Sequence, residues 1–119
     1  MATAKKRKLS QSTDGRGIKV VATASSGTLI HTAVAGTTAG TYDEIWLWAY
    51  NSNSTPVQLT IQWGGTSTPD DDIVDTIPSK SGLRLMVPGY PLQNAKEVRA
   101  YAASANVVTI HGFVNTITD

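Results

Sequence analysis

Apolar and polar residues alternate most cleanly in Val57–Trp63. Val57, Leu59, Ile61 and Trp63 fall at one parity and Gln58, Thr60 and Gln62 at the other. Successive strand side chains point to opposite faces, so this pattern predicts a strand with one buried side. The preceding run, Asp43–Tyr50, is apolar at both parities: Ile45, Leu47 and Ala49 on one, Trp46, Trp48 and Tyr50 on the other. It predicts a strand covered on both faces. The polar cluster Asn51–Pro56 between the two runs is turn chemistry that continues neither strand. One face of Asp43–Tyr50 can close the core of a small sandwich. The aromatic face then needs other cover: a second layer of the chain, a neighbouring subunit or a ligand.

The same pattern continues along the chain. Strands are predicted over Ile18–Ala24, Thr28–Ala33, Asp72–Ile77, Leu83–Val87, Glu97–Ala103 and Val107–Thr116, separated by turns rich in Gly, Ser, Asn and Pro. Pro88-Gly89-Tyr90-Pro91 reads as rigid irregular backbone. Only Leu92–Lys96 offers even one turn of helix. About eight short strands with regularly spaced turn signals predict an all-β domain, a single jelly-roll-like β-sandwich of antiparallel strands. Residues 1–17 lack hydrophobic periodicity and end in Asp14-Gly15-Arg16-Gly17. They read as an extended basic N-terminal arm that orders on binding, leaving 18–119 as the β-sandwich domain.

Charge sharpens this division. The net charge is +1, yet residues 1–19 carry a local +5 and residues 20–119 a local −4. A basic arm on a mildly acidic body suits subunits that touch one another or an acidic surface. With no cysteine, there is neither a disulfide framework nor a thiolate nucleophile or metal site. No apolar run approaches the roughly 20 residues that cross a bilayer, and no apolar segment follows the N-terminal charges as in a secretory signal. No membrane partner is expected, and assembly in a cytoplasm is.

The ordered motifs GTLIHTA, a strand ending in Asn51-Ser52-Asn53-Ser54, VQLTIQWGG, TIPSKSGLRLMVPGYPL and EVRAYAASANVVTIHGFVNTI follow one another over about residues 27–117. In combination they resemble small virion proteins of tailed bacteriophages, the head decoration (cement) proteins and fibre-base proteins built on a compact β-sandwich. The resemblance implies a structural, non-enzymatic role on the outer surface of a capsid. Its implied partners are the major capsid (coat) protein and sister copies in a homo-oligomer, usually a trimer. The basic arm lies outside the match.

Candidate residues follow from both lines of reasoning. Trp46, Trp48 and Tyr50 are expected at an oligomer or capsid interface, since aromatic rings concentrate at interface centres. A sugar-stacking platform and an intra-chain core are the alternatives for these rings. Lys5, Lys6, Arg7, Lys8 and Leu9 are expected to dock the arm onto acidic partners, with strand addition to a sheet edge as the mode. Nucleic acid is disfavoured, because Arg84 and Arg99 are isolated and Trp63 and Tyr101 are not interleaved with basic groups. Asp70, Asp71, Asp72 and Asp75 match no calcium-loop spacing, so no metal or other cofactor is expected. His31 and His111 read as interface or surface strand residues, without a serine–acid partner pattern. Three alternatives to a capsid decoration protein stand: a tail or fibre-base component, a carbohydrate-binding module, and a small coat protein whose arm meets nucleic acid.

Overall fold

The computed structural model describes residues 2–119 and contains nine strands among them. They are β1 (Thr3–Lys8), β2 (Ile18–Val20), β3 (Thr28–Thr32), β4 (Tyr42–Asn51), β5 (Val57–Trp63), β6 (Asp72–Ile77), β7 (Arg84–Leu92), β8 (Glu97–Ala102) and β9 (Val108–Thr118). One sheet runs β1-β9-β4-β7, with β2 also on β9, and the other runs β3-β8-β5-β6. All the pairings are antiparallel. The two sheets enclose one apolar core in a β-sandwich, as the alternation predicts.

The core follows from parity. In β4, Asp43, Ile45, Leu47, Ala49 and Asn51 point inward and are buried, while the residues between them are half-buried on the outer side. Leu59, Ile61 and Ile77 meet them from the second sheet, and Val108, Ile110 and Val114 from β9. The register of β4 on β9 is unbroken from Tyr42↔Ile117 to Asn51↔Val108, so every outward residue of β4 faces an outward residue of β9. Buried Asn51 closes one end. Its Nδ2 donates to the carbonyls of Thr55 and Ile77, both at 3.0 Å, and its Oδ1 accepts from the Asn53 N–H at 2.8 Å. The polar turn after β4 is thus tied to the end of β6.

Two segments depart from the sequence expectation. β7 runs on through Pro88-Gly89-Tyr90-Pro91 instead of ending at Val87. It is the outer strand of its sheet, where a missing N–H faces away from the ladder, and register shifts at Ile45/Trp46 and Leu47/Trp48 absorb the irregularity. The larger departure is at the N-terminus. Thr3–Lys8, expected to extend away from the domain, pairs over six residues with Phe113–Thr118 of β9. Leu9 follows it into the core and is 1% exposed. The basic residues lack periodicity because β1 covers no part of the core, and all six of its side chains are exposed.

A buried polar network fixes this segment. The Ser10 N–H donates to His31 Nδ1 at 2.9 Å, and the Thr32 N–H donates to Ser10 Oγ at 2.8 Å. With Nδ1 accepting, the His31 proton lies on Nε2 and is donated to Asp43 Oδ2 at 2.7 Å. Asp43 also accepts from the Val34 N–H at 3.2 Å and the Thr116 hydroxyl at 2.8 Å. His31 and Asp43 are 4% and 3% exposed, so the expectation of a surface or interface His31 is corrected. A histidine in a strand is covered here because the turn after β1 folds over it.

Candidate functional site

The outer face of the β1-β9-β4-β7 sheet collects the chain's most unusual side chains. By parity β4 presents Tyr42, Glu44, Trp46, Trp48 and Tyr50 there. The register sets Phe113 opposite Trp46, His111 opposite Trp48, Thr109 opposite Tyr50 and Asn115 opposite Glu44. Trp46, Trp48 and Phe113 stand 6.1–6.2 Å apart by centroid in all three pairs, with planes 13–25° from parallel. A column of rings would place its outer pair about twice as far apart as neighbouring rings. Three near-equal spacings instead describe a triangular cluster of offset, near-parallel rings on the sheet.

Glycine makes room for the cluster. A Cβ on Gly89 would stand 2.8–2.9 Å from two indole carbons of Trp46, so the ring rests on the bare backbone of β7. The left-handed φ of +79° at Gly89 also disfavours any other residue there. Trp46 Nε1 donates to Glu44 Oε1 at 2.9 Å, and Asn115 Nδ2 donates to the same oxygen at 3.0 Å. These two hydrogen bonds, the indole's the larger effect, hold the Glu44 carboxyl below its usual range against a smaller opposing effect of burial.

The basic strand borders the ring cluster. Lys8 is paired with Phe113 and Lys6 with Asn115, which puts both on the aromatic face. Lys6 Nζ lies 4.4 Å from the centroid of the Phe113 ring, a cation–π contact. Lys19 of β2 is paired with Thr109 on the same face. A cleft of about 750 Å³ opens beside it, lined among others by Arg16, Lys19 and His111. The face is therefore aromatic at its centre and cationic along one rim.

The structure brings together most of the residues singled out from sequence. Trp46, Trp48 and Tyr50 share one outward face, outside the core between the sheets. Lys5, Lys6, Arg7 and Lys8 are exposed on the adjoining strand. Leu9 is the exception: its side chain is buried in its own domain, so it is not free to dock elsewhere. Phe113 completes the platform, and no sequence signal singled it out. Its parity with His111 could be read, but its place beside Trp46 depends on long-range register. Asp71 is engaged in its own turn, with Oδ2 accepting from the Ser67 N–H at 3.0 Å. Among the described residues no group of three or more His, Cys, Asp or Glu is placed to hold a metal ion.

The chain matches no protein-family model, no curated protein and no solved structure.

Proposed function

We propose that this chain is a non-enzymatic structural protein of a tailed-phage particle, a decoration or cement protein on the outer surface of the head. The observation that carries this reading is the aromatic, cation-rimmed outer face, a surface suited to protein contact. Three half-buried, near-parallel rings offer a large apolar area, and the lysines beside them suit an acidic coat surface. The strand pairing supports a jelly roll, a fold common in viral capsids: β2 with β9, β3 with β8, β4 with β7 and β5 with β6 nest as one long hairpin rolled up. On this reading residues 1–17 are a basic appendage laid along the sandwich of residues 18–119. The protein acts as a homo-oligomer, by resemblance a trimer, and each copy bridges coat subunits.

The test is to prepare shells of the encoding virus with and without this chain and follow their disassembly on heating. Shells lacking it should come apart at lower temperature; equal stability would refute cementing. Sugar binding is a second reading, favoured by the clustering of Trp46, Trp48 and Phe113 on the outside of a single chain. Quenching or shift of tryptophan fluorescence by oligosaccharides, abolished in Trp46→Ala, would support it.

A further inference from the structure

The two outer strands of opposite charge carry the argument further. β1 is the outermost strand of one sheet and β6 the outermost strand of the other. β1 presents Lys5, Lys6, Arg7 and Lys8, all exposed. β6 and the turn before it carry Asp70, which is exposed, and Asp71, Asp72 and Asp75, which are half-buried, with Val74 51% exposed among them. Among the described residues only Asp75 of these eight charged groups enters an ion pair, with Arg84 at 2.6 Å.

Topology keeps the two strands from meeting within one molecule. The turn after β1 is bonded to β3 through Ser10, which places β1 on the β3 side of the sandwich. β6 is bonded through Asp75 to Arg84 of β7, on the opposite side. A single copy thus carries a basic edge on one flank and an acidic edge on the other. The free outer side of each strand is also a row of backbone groups open to a further strand. Like edges repel, so β1 does not pair with β1 nor β6 with β6.

We infer that the occupant of the β1 edge is the β6 edge of a second copy of this chain, in a head-to-tail contact. Such a heterologous contact joins different patches on the two partners and closes into a ring when the rotation permits. This deepens the oligomer reading above by naming the surfaces that make it. It concerns only contacts between copies, so it can fail while coat binding stands, and shells are not needed to test it.

The experiment measures mass by light scattering for the full chain across a salt series and for two charge variants. K5E/K6E/R7E/K8E makes both flanks acidic, and D70K/V74K/D75K makes the β6 flank basic. Wild type should be oligomeric at low salt and dissociate as salt rises. Each variant alone should be monomeric, its self-association weakened about a hundredfold or more, because like charges are brought together. Mixing the two should restore a complex, since the acidic β6 edge of the first still meets the basic β1 edge of the second. That rescue also shows that both variants are folded. A monomeric wild type at low salt, variants that assemble like wild type, or a mixture that stays monomeric would each overturn the inference.

Discussion

Replacing Leu9 by alanine tests whether the N-terminal segment belongs to the domain. Leu9 follows a wholly exposed strand, yet its own side chain is 1% exposed and lies in the same cluster as Ile18, Val20 and Val114. Truncating a buried leucine costs about 2–5 kcal/mol, from lost transfer energy and the cavity left behind. The lower part of that range, about 2–4 kcal/mol, applies here because exposed Lys8 and Ser10 flank the site and let it relax. A small domain holds about 5–15 kcal/mol in total, so the variant should still fold. For a chain of 119 residues each kcal/mol moves the thermal midpoint by roughly 4 °C. The expected fall is then roughly 8–16 °C, measured by circular dichroism at fixed pH and salt. The matched control, Lys5→Ser with Arg7→Ser, changes exposed residues and should move stability by no more than about 0.5 kcal/mol. A Leu9→Ala midpoint within about 2 °C of wild type would mean that the segment contributes nothing to the fold, and the reasoning fails.

Three further outcomes follow from the same geometry. Asp43→Ala removes the acceptor of His31 Nε2, the Val34 N–H and the Thr116 hydroxyl. It should cost about 3–5 kcal/mol in denaturant unfolding and speed hydrogen exchange at Ser10; exchange unchanged at Ser10 would argue against the network. Glu44, its carboxyl held below the usual range mainly by the Trp46 indole, stabilises the fold above the ordinary carboxylate range and loses that contribution as pH falls through its lowered value. Thermal midpoints of wild type and Glu44→Gln should therefore differ most near neutral pH and converge in acid, whereas a gap independent of pH would refute the assignment. Trp48→Ala should leave a folded β-sandwich by circular dichroism while weakening binding to coat shells or sister copies. Loss of all β-sheet signal would place the ring in the folding core instead.

Much of the sandwich is readable from local alternation. Val57–Trp63 and Asp72–Ile77 occupy the predicted residues, but the second face of Val57–Trp63, expected in solvent, is covered at Thr60 and Gln62, 5% and 0% exposed, and Gln62 Nε2 donates to Ser25 Oγ at 3.1 Å. The two-sided apolar character of Asp43–Tyr50 likewise reports a strand at the centre of a sheet, between β9 and β7. What escaped is whatever depends on distant partners. β1 has no apolar face to advertise it, since it gains mainly backbone pairing to β9 and one cation–π contact. Phe113 joins the tryptophans through register, although it lies 67 positions after Trp46 in the sequence. His31 and Asp43 meet because strands of two different sheets come together under the Ser10 turn. Pro88 and Pro91 signalled irregularity correctly in chemistry, but at an outer strand that chemistry is compatible with pairing.

The position of β9 has a consequence for how the protein is made. β9 is synthesised after the other eight described strands, yet it is the partner of β1, β2 and β4, with Thr3 opposite Thr118. While the chain is emerging from the ribosome, that sheet lacks its organising member. β4 must wait with its tryptophans uncovered, and β1 has nothing to pair with. Closure over so long a loop is slow, and unpaired strands are vulnerable to wrong partners in the interval. The lysines and arginine of β1 are then useful before any native contact exists: a charged strand stays soluble while it waits. A nascent chain interrupted before Val108 cannot build this sheet, so only copies translated through their last strand present the aromatic face.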